Sequence, residues 1–185
     1  MSVILPKCTL IALVLITALV AVTAGKAQRY RRRGREVERT PPVSVDRRDR
    51  IVAIAGPFNG RPYWLALAQC GGIYFKLNTL YTDAAVRARV VRPDPGANAE
   101  FTRKLNEAIN TATLYLEAAE TFLETDRGLG RDDAILTYDG QSRAAGDRVK
   151  TIDAALAAAK ACPALYGACR SAYAKACSRP LAPVG

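Results

Sequence analysis

From residue 63 onward, apolar side chains recur at alternating spacings of four and three. Tyr63, Leu67, Cys70, Tyr74, Leu77, Tyr81, Ala84, Ala88 and Val91 form one continuous stripe, the pattern of a helix with a single buried face. Pro93 and Pro95 end it. A second stripe runs from about Asn98, a residue suited to an N-cap, through Phe101, Leu105, Ala108, Ala112, Leu116, Ala119 and Leu123, with Ile109, Tyr115 and Phe122 widening the face. Gly128 and Gly130 stop this helix. A third opens on Asp132 and Asp133, acids that suit the positive end of a helix dipole. It carries Ile135, Tyr138, Ser142, Ala145, Val149, Ile152, Leu156 and Ala159 on one face. Pro163 then breaks or restarts the helix, and a short fourth segment runs from about Ala164 to Cys177.

Three helices of about 28 residues, each roughly 42 Å long, joined by short connections, predict an all-α fold: an antiparallel bundle of three long helices plus a short C-terminal helix. The many alanines on the inner faces allow close approach, while the tyrosines need hydrogen-bond partners for their hydroxyls. Ahead of the helices, Ile51 to Ala55 reads as a short extended segment laid on the body, closed by Gly56-Pro57 and Asn59-Gly60. Pro62 suits the first turn of a helix.

The N-terminal third has a different pattern. Thr9 to Val22 is an almost unbroken apolar run, preceded by Lys7 and followed by Val22-Thr23-Ala24. That build is a secretory signal with a small-residue cleavage site, and the run is short for a spanning helix, which needs about 20 apolar residues. Cleavage after Ala24 removes Cys8 and leaves a periplasmic or secreted protein. The rival is an uncleaved inner-membrane anchor through residues 9–25, favoured by the basic flank that follows at once, since positive flanks resist translocation. Residues 25–50 form that flank. Lys26, Arg29, Arg31, Arg32, Arg33, Arg35, Arg39, Arg47, Arg48 and Arg50 face only Glu36, Glu38, Asp46 and Asp49, a net of +6. With Pro41 and Pro42 and little apolar periodicity, the arm is expected to be disordered. Residues 51–185 are then the helical domain.

Composition narrows the chemistry. The chain has 185 residues, half of them apolar, with a formal net charge of +10 and no histidine. The length suits one domain. Without imidazole there is no Ser-His or Cys-His nucleophilic pair and no His-ligated metal. No metal site and no cofactor are expected, because neither a close cysteine pair at ligand spacing nor a haem-attachment motif occurs.

Four cysteines remain after residue 24, an even set of the kind that forms disulfides in an oxidising compartment. Sequence permits three pairings. In a bundle whose first and third helices run the same way, Cys162 lies at the far end of the first helix from Cys70. A C-terminal segment folding back would carry Cys177 about 22 Å toward Cys70. The expected bonds are therefore Cys70 with Cys177, and Cys162 with Cys169 around the Pro163 turn. A reduced, buried Cys70 is the alternative.

Candidate sites are few. Gly128-Leu129-Gly130 looks like the start of a phosphate loop but lacks the third glycine and a preceding strand, and a helix C-cap accounts for it. Tyr138, Asp139, Ser142 and Arg143 are the most polar cluster on the third helix. Between helices, Tyr138 and Ser142 could donate hydrogen bonds while Arg143 grips an anion; core hydroxyls beside a solvated Asp139–Arg143 pair are the plainer account. Arg29, Arg31, Arg32, Arg33 and Arg35 match phosphate geometry and could bind anionic lipid. Nucleic acid is disfavoured, since Tyr30 alone supplies an interleaved aromatic. The expected function is an exported, non-catalytic bundle serving as a binding or accessory protein of the cell envelope, whose partner is an envelope protein or anionic lipid. The alternatives are a membrane-anchored module whose arginine arm lies on anionic lipid, and an enzyme with a non-histidine site on the third helix.

Overall fold

The computed structural model describes residues 43–91 and 95–181. These are all-α, with five helices: α1 (Tyr63–Val91), α2 (Pro95–Arg127), α3 (Arg131–Asp147), α4 (Ile152–Ala159) and α5 (Cys162–Ala172). Two disulfides tie them together. The signal-like run, the proposed anchor and the arginines at 29, 31, 32, 33 and 35 lie outside the described residues.

The organising element is α1. Its first six residues, from Tyr63 to Ala68, are all buried, which is more than the single stripe predicts. A helix that is apolar all round belongs in the middle of a fold, and α1 packs against all four other helices. Alongside it, α2 runs antiparallel as expected: Tyr63 stacks on Phe122 at 5.2 Å, Tyr74 on Tyr115 at 5.5 Å, and the Asn78 side chain donates to the Leu105 carbonyl at 2.9 Å. The buried face of α2 centres on Ala112, Tyr115, Ala119 and Phe122, so two aromatics expected at its margin form its middle.

Helix ends follow local chemistry. The Pro62 carbonyl accepts the Ala66 N–H at 3.1 Å, which sets Pro62 just ahead of α1. Pro95, whose lack of an N–H costs nothing there, starts α2 one turn earlier than Asn98. Asn98 is thus inside the helix, and its Oδ1 accepts from Arg89 Nε of α1 at 2.7 Å. Gly128 closes α2 at φ +67°, its N–H bonded to the Glu124 carbonyl at 3.0 Å. This is the left-handed cap that glycine adopts without strain.

The long third helix is not continuous. It ends at Asp147, and the chain turns through Arg148–Lys150 before α4 begins at Ile152. Thr151 caps α4, its Oγ1 accepting the Ala154 N–H at 3.2 Å. The turn reverses direction. Leu156 comes to Tyr74 and Tyr81, Cys162 to Cys70, and Tyr173 to Tyr63, so α4 and α5 run back along α1. The last helix spans Cys162–Ala172 rather than 164–177, with Pro163 in its first turn.

That reversal overturns the expected disulfide pairing. The bonds are Cys70–Cys162, with Cα atoms 5.8 Å apart, and Cys169–Cys177, with Cα atoms 5.9 Å apart. A straight third helix would hold Cys162 away from Cys70. The break delivers it there, and Cys169 is left to its neighbour eight residues on.

The end of the basic arm also departs from the expected disorder. Residues 43–50 pack onto the C-terminus of α2, where two adjacent pairs of opposite order meet. Asp49 accepts from Arg127 Nε at 2.8 Å and Nη2 at 2.6 Å. Asp126 accepts the Arg50 backbone N–H at 3.1 Å and faces its Nε at 3.2 Å. Both aspartate side chains are almost wholly buried. The loop that follows is the extended segment expected: Val52 donates to Arg61 at 2.8 Å and accepts from Gly60 at 2.9 Å, with Val52 fully buried.

Candidate functional site

Where α3 crosses α1, the backbones touch. A β-carbon at Gly72 would overlap the Ser142 carbonyl oxygen, and one at Gly146 would lie 2.9 Å from the Gly72 carbonyl. Ser142 and Gly146 are one turn apart, so they meet α1 on the same face. Beside Gly72, Gly71 makes room for Leu116 of α2. The adjacent glycines of α1 thus admit one neighbour each. Glycine weakens a helix interior, and its presence at both sides of the crossing is explained by this close approach.

Next to the crossing a groove of about 440 Å³ opens between α1 and α3. Its floor is Gly72, Phe75, Leu116 and Gly146; its rim carries Lys76, Thr79, Asp139, Ser142, Arg143 and Asp147. Phe75 is half exposed, an unusual position for a large aromatic. Arg143 is held by an ion pair with Asp139, one turn back on the same helix. The rim therefore has both signs of charge over an apolar base, a lining that suits an amphipathic group carrying its own charge or hydrogen-bonding head.

Of the three ligand candidates on the expected third helix, Ser142 and Arg143 line this groove and Tyr138 does not. Tyr138 faces α2, where burial and then the carboxylates of Glu120, Asp139 and Glu117 raise its phenol above the ordinary range. The predicted trio is therefore divided between two sides of α3. Its i, i+4 spacing placed Tyr138 and Ser142 on one stripe, but the stripe spans two neighbours. The glycine pairs that shape the groove were a legible signal: two consecutive glycines inside a long helical pattern mark close backbone contact.

A second polar concentration is the clamp at the end of α2. Burial would raise the Asp49 carboxyl, but the Arg127 fork and the Asp46 backbone N–H more than offset it, and the group lies below its ordinary value. The Arg127 guanidinium also donates to the Ser44 carbonyl at 2.9 Å and lies 4.8 Å above the Trp64 ring. Arg50 sits 5.0 Å from the Tyr173 ring and 5.6 Å from that of Phe122. The two aspartates and the two arginines of these pairs answer one another, and the clamp fastens residues 43–50 to the end of α2.

One tyrosine of the aromatic core is anomalous. Tyr115 is fully buried, stacked on Tyr74 and edge-on to Tyr166 at 5.1 Å. Its hydroxyl has no hydrogen-bond partner among the described residues, and burial pushes its phenol far upward. The expectation that each tyrosine finds a partner fails at this position.

Among the described residues, no three acidic or cysteine side chains are grouped as metal ligands, and no helix is long and apolar enough to cross a membrane. Comparison of the chain with protein-family models, with curated proteins and with solved structures finds no match.

Proposed function

We propose that this protein is exported and works without catalysis, as a disulfide-stapled binding or accessory module of the cell envelope. One observation carries the reading. All four cysteines downstream of the Val22-Thr23-Ala24 pattern are consumed in two disulfides, and such bonds persist in oxidising compartments and are rare in reducing ones. The apolar run at 9–22 supplies the means of export. The α1/α3 groove, with its exposed Phe75 and mixed-charge rim, is the surface through which a partner would be met. Intact mass and N-terminal sequencing of the protein recovered from its native host test the reading. The expected species begins at Gly25 and takes up no thiol reagent when denatured without reductant. An intact Met1 with all five thiols reactive rejects it.

A second reading draws on the net +6 of residues 26–50. Here the apolar run stays in the membrane and the arginine arm lies on anionic headgroups. Salt-sensitive binding to phosphatidylglycerol vesicles, abolished by deleting residues 26–42, selects this reading. The deletion stops at 42 because Ser44, Asp49 and Arg50 hold the arm's end to α2.

A further inference from the structure

From the α1/α3 groove to its last turn, α1 leaves one face uncovered. Phe75, Thr79, Thr82, Val86 and Val90 fall within about 80° of the helix circumference and span about 22 Å, and all five are exposed, Val90 to 78%. The threonines do not make the stripe polar. Thr79 Oγ1 donates to the Phe75 carbonyl at 3.2 Å and Thr82 Oγ1 to that of Asn78 at 2.9 Å, so the stripe can be covered without stranding a donor. Charge is divided along its length. At the Phe75 end the groove rim sets Asp139 and Asp147 against Lys76 and Arg143, with Asp139 and Arg143 paired to each other. At the far end Arg87 and Arg89 flank Val86 and Val90, and Arg89 is held by the neutral side chain of Asn98. Asp83 stands midway.

We infer that this stripe is covered by a second copy of the chain, the two α1 helices lying antiparallel about a two-fold axis beside Thr82 and Asp83. Every contact in such a pair occurs twice with the roles exchanged: Phe75 of each copy meets Val90 of the other, and Thr79 meets Val86. The valine end of one copy then enters the groove of the other, laying an apolar group on the floor of Gly72, Phe75 and Leu116, and Arg87 comes to the Asp147 side of the rim. One chain thus carries the knob and the hole, with opposite charges beside them, at the two ends of a single face. A parallel pair sets Arg87 against Arg87 and leaves both grooves empty. Anionic lipid is a poorer cover, since it sets Asp83, Asp139 and Asp147 against like charge. The pairing rests on the groove being a contact surface, the reading proposed for it, and not on export.

Sedimentation equilibrium of the protein with both disulfides formed, over a range of concentrations, is expected to show a dimer that dissociates on dilution. Val90→Asp alters an exposed residue, places a carboxylate beside Asp147 of the other copy, and is expected to weaken the dimer at least about tenfold with an unchanged far-ultraviolet spectrum. Arg87→Glu and Asp147→Lys are each expected to weaken it by about tenfold, and the two together in one chain to restore it, because each residue meets the other across the axis. A monomer at every concentration overturns the inference. So does a dimer that tolerates Val90→Asp, or a charge exchange that restores nothing. A monomer that binds phosphatidylglycerol vesicles, and loses them with Val90→Asp, gives the stripe to lipid instead. In protein recovered from its native host, the N-terminus and thiol content report on export separately: a monomer beginning at Gly25 without free thiols overturns the pairing alone, and a dimer that keeps Met1 overturns cleaved export alone.

Discussion

Gly72 and Gly167 are both helical glycines, and they behave as opposites. A β-carbon at Gly72 would overlap the backbone of α3, whereas at Gly167 nothing lies within 4 Å. Gly72→Ala is therefore expected to force the crossing helices apart and cost about 3 kcal/mol or more, the upper range of overpacking. Gly167→Ala, exposed in α5, is expected to stabilise the fold by about 0.5–1 kcal/mol through helix propensity. Urea unfolding of both variants checks the pair; a loss at Gly167 comparable to that at Gly72 would contradict the crossing geometry. The Gly71-Gly72 pair is visible in the chain, and its position inside a helical stripe signals a contact. Which of the two faces α3 and which faces α2 is a matter of helix rotation, and nothing local determines it. Ser142 and Arg143 line the groove and are legible in the chain as polar neighbours, but Tyr138 is not separable from them there, because residues one turn apart share a face only until two neighbours divide it.

At the scale of elements, the break between α3 and α4 is the decisive feature. Its signs are present: Arg148 and Lys150 follow the last turn, and Thr151 with Asp153 has the composition of an N-terminus. The seven-residue repeat across Ala145, Val149, Ile152, Leu156 and Ala159 conceals them, since a kinked pair of helices can keep the periodicity of a straight one. Thr151→Ala removes the cap from a helix of only eight residues and is expected to cost about 1 kcal/mol, measurable as a shifted denaturant midpoint with an unchanged slope. The clamp of residues 43–50 belongs to the same scale. Asp49 has a carboxyl lowered from the ordinary value of 3.8, so it binds fewer protons folded than unfolded near that value. Its contribution is complete above the ordinary value and is lost as pH falls through the folded one. Asp49→Asn, which leaves the Arg127 fork half-answered beside a buried position, is expected to lower stability at pH 7 by about 3 kcal/mol. It should also flatten the loss of stability below pH 4. Thermal melts across pH 2 to 7 check both effects, and an unaltered acid limb would show that Asp49 is not the responsible group.

For the whole molecule, the two disulfides differ in what they constrain. Cys70–Cys162 closes a separation of 92 residues and joins the central helix to the start of α5, whereas Cys169–Cys177 closes one of 8 and secures the C-terminal turn. The chain-entropy relation assigns about 4–5 kcal/mol to the first and about 2–3 kcal/mol to the second. Replacing Cys70 and Cys162 together by alanine is therefore expected to lower the unfolding free energy by roughly twice the loss from Cys169 and Cys177 replaced together. Chemical denaturation of the two double variants makes the comparison, and equal losses would count against the long link as the main staple.

The chain's own pattern determines the all-α class, the antiparallel pairing of α1 with α2, the extended loop at Ile51 to Ala55 and the presence of paired cysteines. Each of these follows from spacing, proline and glycine placement or residue count, which act within a few turns of chain. Tertiary structure decides the rest. The reversal after Asp147 selects the partner of each cysteine, the rotation of α1 determines which glycine opens toward which helix, and the packing of residues 43–50 depends on aspartate and arginine pairs separated by 76 and 78 positions. Such pairings are energetically specific but carry no local periodicity. A one-dimensional reading registers the charges and the sulfurs; only the folded chain brings the particular partners within bonding distance.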